Sequence, residues 1–214
     1  MCPLNSLFPS VQPLAGMYNS RPATASGSNS MKRVMIVGGP GSGKSTLARQ
    51  LGERTGLPVF HMDKIHWCAG WVERAREDKD RMTHEVHIQD RWIFEGGHSN
   101  TYSERVARAD TFVWLDVPVG LRMFRALKRS VVHYGKTRPD LPDGCPERFD
   151  LQTIEFLGFI WRTRHTARAK LRAIYENPPP HLRVFRLTTK LEFDAFLRTC
   201  ARQGGLMEAG QQHT

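Results

Sequence analysis

From residue 31 onward, short β-branched or aromatic runs alternate with longer stretches of helical period. The runs at 34–37, 58–62, 92–95, 111–116 and 182–187 predict five strands. The stretches at 45–55, 74–89, 103–109, 119–133 and 151–175 predict helices, and the amphipathic piece at 190–200 predicts a last one. Strands alternating with helices imply a parallel sheet covered on both faces, a three-layer α/β/α domain spanning 31–203. Residues 1–30 break the pattern: four prolines, six serines, the single charge Arg21 and no hydrophobic period. That stretch buries too little surface to offset its ordering entropy and is expected to be disordered, either as a dispensable tail or upstream of a natural start at Met31. Residues 204–214 are expected to form a flexible tail.

The composition suits a globular chain, with 40% apolar and 24% charged residues. No run of 18 apolar residues exists, so no membrane partner is expected. The cysteines, Cys2, Cys68, Cys145 and Cys200, show no CxxC pair and no companion His at zinc-finger spacing, which suggests reduced thiols and a cytoplasmic chain. The net charge of +10 invites a nucleic-acid reading unless the charge has a local purpose.

One segment carries specific chemistry. Gly38-Gly39-Pro40-Gly41-Ser42-Gly43-Lys44-Ser45 fits G-x-x-x-x-G-K-[ST] at every fixed position, preceded by the strand RVMIV and followed by the helix STLARQLGERT. Glycines let backbone N–H groups turn inward as an anion nest, and the new helix points its positive end to the same place. Lys44 then reaches the β- and γ-phosphates of ATP, the Ser45 hydroxyl joins the Mg²⁺ shell, and Thr46 assists at the α-phosphate.

The form Gly38-x-Pro40-Gly41-x-Gly43-Lys44, a strand ending in Asp63 and the LDVP sequence at 115–118 resemble adenylate kinase and its small-molecule kinase relatives. More closely, HMDKIHW, WIFEGGHSNTYSERVARADTFVWLDVP and GKTRPDLPDGCPERFD are similar to the bacterial adenylate-kinase-related ATPases labelled DNA topology modulation proteins. The resemblance covers roughly residues 32–197. It implies a P-loop NTPase fold with a five-stranded parallel sheet, a nucleoside-triphosphate site, a separate acceptor site and an arginine-bearing lid at about 119–175.

By that resemblance Asp63 orients or deprotonates the acceptor; the alternative is a helix N-cap. Trp67 and Trp71 either wall an acceptor pocket or staple their loop to the core. Glu95 stands where many relatives carry Asp and is the candidate for holding Mg²⁺ through water. Gly96 and Gly97 let an acceptor approach the backbone, His98 either contacts it or is exposed, and Arg105 either pairs with an anionic acceptor or lies on a solvated helix face. His61, His66, His84 and His87 have no convincing ligand spacing.

Phosphoryl transfer leaves most of the catalytic work to positive groups. After LDVP come Arg122, Arg125, Lys128 and Arg129; Arg125 and Arg129 share a face and match the lid-helix arginines of adenylate kinase, one for stacking on adenine and the other for phosphate. Lys136, Arg138 and Arg148 follow in a Pro/Gly/Asp-rich loop, then Arg162, Arg164, Arg168 and Arg172. Arg138, Arg164 and Arg168 are the further phosphate candidates. Residues 121–175 hold twelve Lys or Arg against five Asp or Glu, a surplus of seven out of the total of +10. The expected protein is therefore a Mg²⁺-dependent kinase, a monomer or homodimer, transferring the γ-phosphate of ATP to a small-molecule or nucleoside-monophosphate-like acceptor. Nucleic acid is a less favoured partner, because no helix-turn-helix, zinc-finger or RNP-like motif is present. The competing readings are a DNA-associated regulatory ATPase and a nucleotide-binding protein without catalysis, the latter supported only by Glu95 in place of Asp.

Overall fold

The structure, a computed structural model, describes residues 31–208, with side chains through residue 200. In chain order the elements are β1 (Arg33–Gly38), α1 (Lys44–Thr55), β2 (Val59–His61), α2 (Met62–His66), β3 (Trp67–Cys68), β4 (Val72–Glu73), α3 (Arg76–His87), β5 (Trp92–Glu95), α4 (Tyr102–Arg108), β6 (Thr111–Leu115), α5 (Val119–Val132), α6 (Leu151–Arg162), α7 (Arg164–Glu176), β7 (Arg183–Leu187) and α8 (Lys190–Glu208). Five strands form one parallel sheet in the order β2-β5-β1-β6-β7, as the alternation predicts.

Alternation within β1 splits the core in two. Val34 and Ile36 face α1 and α8 across Leu47, Leu51, Phe193, Phe196 and Leu197, while Met35 and Val37 face a cluster of Met82, Val86, Trp92, Phe94, Trp114 and Leu171. Both clusters are buried, which explains why β1 and β6 read as continuous apolar runs.

Three features depart from the sequence expectation. The helix expected at 151–175 is two helices broken at Thr163, whose hydroxyl donates back to Phe159 O at 2.8 Å. The break has a packing cause: α6 packs against α5, whereas α7 turns to lay Leu171, Ile174 and Tyr175 on the sheet. The segment after Asp63 folds into a small antiparallel hairpin, β3–β4, closed by a 3₁₀ turn at Ala69–Trp71. Helix α8 continues to Glu208, past Gly204 where a tail was expected. The expectations for 1–30 and 209–214 lie outside the described residues. No helix among the described residues is long and apolar enough to cross a membrane.

Arg105 overturns its solvated-face reading. It is fully buried, with its guanidinium 4.0 Å from the Phe94 ring centroid, Nε donating to His87 Nε2 (3.3 Å) and Nη1 donating to Gly96 O (2.8 Å). Burial pulls the Arg105 pKa down to about 10. His87, also fully buried, is pushed down to about 4 by burial and then by the Arg105 charge. Its folded pKa lies below its unfolded value of about 6.5. The unfolded chain therefore binds the extra proton in that window, and stability falls as pH drops from about 6.5 to 4, by up to about 3 kcal/mol. Thermal melts across that range should show the loss, and His87→Asn should flatten the slope.

Candidate functional site

The phosphate loop joins β1 to α1 at the C-terminal edge of the sheet, where parallel α/β folds present ligands. Gly41 (φ +76°) and Gly43 (φ +97°) occupy the left-handed region. Gly43 is the N-cap of α1 and offers no side chain to the first helical N–H groups, which leaves them for an anion. The Ser42 hydroxyl is buried in the loop without a hydrogen-bond partner. Lys44 Nζ lies 3.5 Å from Gly39 O, a weak contact, and Thr46 is exposed beside it. These features fit a polyphosphate.

Arg122 packs against this loop and was not among the residues chosen from the sequence. It is buried, its Nε donates to Val117 O at 3.1 Å, and a Cβ on Gly39 would stand 1.7 Å from its Nη1. Its place in the first turn of α5, on the face that continues to Ala126 and Ser130, was a readable signal.

Glu95 closes β5 beside β2, in register with His61. Its carboxylate is buried, and Oε1 takes both the Ser45 hydroxyl (3.0 Å) and His61 Nδ1 (2.8 Å). Ser45 and Glu95, expected separately to serve Mg²⁺, are thus brought together, with His61 as an unforeseen third member. Among the described residues no three His, Cys, Asp or Glu side chains gather as a metal site.

Asp63 falls in the first turn of α2, and the N-cap position belongs to His61 without a side-chain cap, so the capping alternative is not observed. Its side chain reaches solvent, with protein packed close around its sides. That crowding and the Glu95 carboxylate push its pKa up, while Lys44 and Arg138 pull it down and Asp140 adds to the rise. Asp63, Lys44 and Arg138 therefore share one field.

The remaining acceptor candidates divide. Gly96 (φ +111°) approaches α2 so closely that a Cβ would stand 2.5 Å from Met62 Cβ, and a Cβ on Gly97 would meet the Tyr102 hydroxyl at 3.1 Å. The Trp67 and Trp71 rings meet edge-on at 5.5 Å, and Trp71 Nε1 donates to Pro146 O at 2.9 Å, so the second indole staples the hairpin to the lid. His98 Nε2 lies 2.5 Å from Asp80 Oδ1 and is mostly buried.

At the end of α5 and in the loop after it, the stretch expected to form a lid, Arg129 and Arg138 meet on one buried carboxylate. Arg129 Nε is 3.1 Å and Arg138 Nε 2.7 Å from Glu147 Oε1, and Ser130 Oγ donates to Glu147 Oε2 at 3.3 Å. The two Nε–H bonds do not point at Oε1, so these contacts are ionic rather than directional. Arg138 Nη1 also donates to Asp140 Oδ2 at 2.8 Å. Burial alone would raise the Asp140 pKa; the Arg138 charge and the nearby Ser45 hydroxyl outweigh it and hold the carboxyl below the usual range. Neither Glu147 nor Asp140 carries a sequence signal beyond lying among the lid arginines.

Three other candidates lie apart. Arg125 is exposed on α5. Arg164 stacks on Trp161 at 3.9 Å and donates to Trp161 O at 2.6 Å. Arg168 makes two 2.8 Å bonds to Asp116, which Arg186 also clamps at 2.6 Å.

No family model matches the chain, and no curated protein matches it. Among solved structures the chain is similar to a shikimate kinase from Bacteroides thetaiotaomicron (19% identity, 84% of this chain and 99% of that one, TM-score 0.49). It is also similar to a shikimate kinase from Acinetobacter baumannii in complex with shikimate (15%, 85% and 96%, 0.44) and a gluconokinase from Sinorhizobium meliloti 1021 (12%, 85% and 98%, 0.46). The P-loop α/β assignment stands on the chain's own strand order and phosphate loop.

Proposed function

We propose that the chain is a Mg²⁺-dependent P-loop kinase that transfers the γ-phosphate of ATP to a small-molecule or nucleoside-monophosphate-like acceptor. The observation that carries this reading is the convergence of Lys44, Asp63, Glu95 and Arg138, from four separate segments, on one cleft. ATP brings the phosphoryl group, and Mg²⁺ screens its charge when bound. Gly39, Gly41, Ser42 and Gly43 cradle the phosphates through backbone N–H groups, Gly38 and Pro40 shape the loop, and Lys44 and Thr46 lie beside them. Ser45 and Glu95 hold the metal, and Arg125 is the arginine for the adenine face. Asp63, its pKa raised in the cleft, takes or orients the acceptor proton. Arg129 and Arg138 stabilise the charge on the transferred group. Of the acceptor-side candidates Trp67 is the one left for an acceptor wall, whereas Trp71 is held by Pro146 O, His98 by Asp80, and Gly96 and Gly97 pack against Met62 and Tyr102. Arg164 and Arg168 have a phosphate role only if they leave Trp161 and Asp116 on ligand binding.

The test is a panel of nucleotides, nucleosides, sugars and small acids with coupled detection of ADP. At least one acceptor should raise ADP release well above the acceptor-free rate. A flat panel, together with micromolar duplex-DNA affinity that weakens steeply with salt, would instead favour the DNA-associated ATPase. Arg129, Arg138, Arg168 and Arg186 are paired with Glu147, Asp140 and Asp116, which lowers the unpaired positive charge they could offer to DNA.

A further inference from the structure

We propose that Cys68 and Cys145 are a peroxide-sensitive thiol pair whose disulfide fastens the lid to the acceptor hairpin. Three hydrogen bonds already join these two segments. Gly70 N donates to Gly144 O at 2.8 Å, Trp71 Nε1 donates to Pro146 O at 2.9 Å, and Cys145 Sγ donates to Cys68 O at 3.1 Å. A Cβ on Gly144 would stand 3.0 Å from Ala69 Cβ, so the chains touch along this seam. The Cys145 sulfur lies 3.1 Å from the carbonyl oxygen of the other cysteine, which places the two residues side by side in this seam. A disulfide spans about 4.4–6.8 Å between α-carbons, which suits two chains in this contact.

Access sets the order of events. Cys68 is half-buried and Cys145 fully buried, so a hydroperoxide reaches Cys68 first. The Cys68 thiolate attacks the O–O bond and becomes a sulfenic acid, releasing one water from hydrogen peroxide. The Cys145 sulfur then attacks the sulfenic sulfur; the S–S bond forms, the S–O bond breaks, and the departing hydroxide leaves with the thiol proton as a second water. Two thiols are oxidised and one peroxide is reduced. Cys200 is a poor competitor, because it is buried in the core cluster shared with α1 and α8 and that burial raises its pKa to about 11.

The bond would have a consequence for the cleft, because Glu147, which holds Arg129 and Arg138, lies two residues beyond Cys145. Tying residue 145 to the hairpin fixes the acceptor wall and both arginines together. This effect rests on the kinase and lid reading above; the bond itself does not.

The experiment uses the reduced full-length chain, exposed to hydrogen peroxide, alkylated and mapped without reduction. A peptide linking Cys68 to Cys145 is expected, and it should be absent from both Cys68→Ser and Cys145→Ser. Separately alkylated or sulfinic Cys68 and Cys145, or pairing of either with Cys2 or Cys200, would overturn the proposal. In stopped flow, association of a fluorescent ATP analogue should slow by about tenfold or more on oxidation and recover with dithiothreitol. A linked peptide with unchanged association would refute the fastening of the lid. Reduced protein that fails to bind the analogue at all would count against the kinase reading and leave the mapping result to decide the disulfide.

Discussion

Lys44→Ala is expected to slow phosphoryl transfer by at least about a hundredfold, through loss of a charge that serves the transition state more than the fold. In the protein without ligand, Lys44 makes only a 3.5 Å contact to Gly39 O, so its removal should leave the thermal midpoint almost unchanged. A second effect has a definite sign. Lys44 pulls the Asp63 pKa down, against crowding and Glu95, which push it up. Without the lysine the carboxyl moves further up, and the acid limb of the rate profile should shift to higher pH. Acceptor-dependent ADP release, measured against pH with the acceptor that the panel identifies, checks both. A variant that loses only ATP affinity, at an unchanged maximal rate, would remove Lys44 from the chemical step.

Gly41→Val should destabilise the domain by about 3–5 kcal/mol, combining a left-handed backbone for a β-branched residue with an overpacked contact. Gly41 sits at φ +76°, and a Cβ there would stand 2.3 Å from Arg122 O, a backbone atom that moves only with α5. Nucleotide binding should be lost as well, because relieving the clash requires either the loop or the lid helix to shift. Gly43→Ala is the control: its φ of +97° is also strained, yet nothing lies within 4 Å of the added carbon. It should therefore lose only the smaller backbone contribution, about 1–2 kcal/mol. Equal thermal losses in both variants would mean that the contact with Arg122 is unimportant.

These two residues lie where local sequence speaks most clearly. The phosphate loop is a contiguous motif with strand and helix on either side, and the five strands have β-branched or aromatic composition that needs no long-range information. What stayed illegible depends on partners distant in the chain. His61 acquires meaning only because the parallel register sets it against Glu95, 34 residues away. Arg105 resembles a helix-surface arginine until α4 is packed over Phe94 and His87. Thr163 breaks a continuous helical period because the two halves have different neighbours, which periodicity alone does not encode. The hairpin at Trp67–Cys68 and Val72–Glu73 is too short to give a strand signal and is secured by contacts to Gly144, Cys145 and Pro146. The arginines of the lid were visible as types, but the carboxylates that hold them were not, since an acidic residue in a polar loop reads as ordinary solvated sequence.

The ion pairs of the lid bear on the thermodynamics of ligand capture. A free arginine side chain carries about 2 kcal/mol of rotamer entropy. Arg129 and Arg138 have already surrendered much of theirs to Glu147 and Asp140 when the chain folds. On the proposed kinase reading, a polyphosphate would meet two guanidiniums whose conformations are chosen in advance, so the disorder lost at that moment would belong mainly to the ligand and its water.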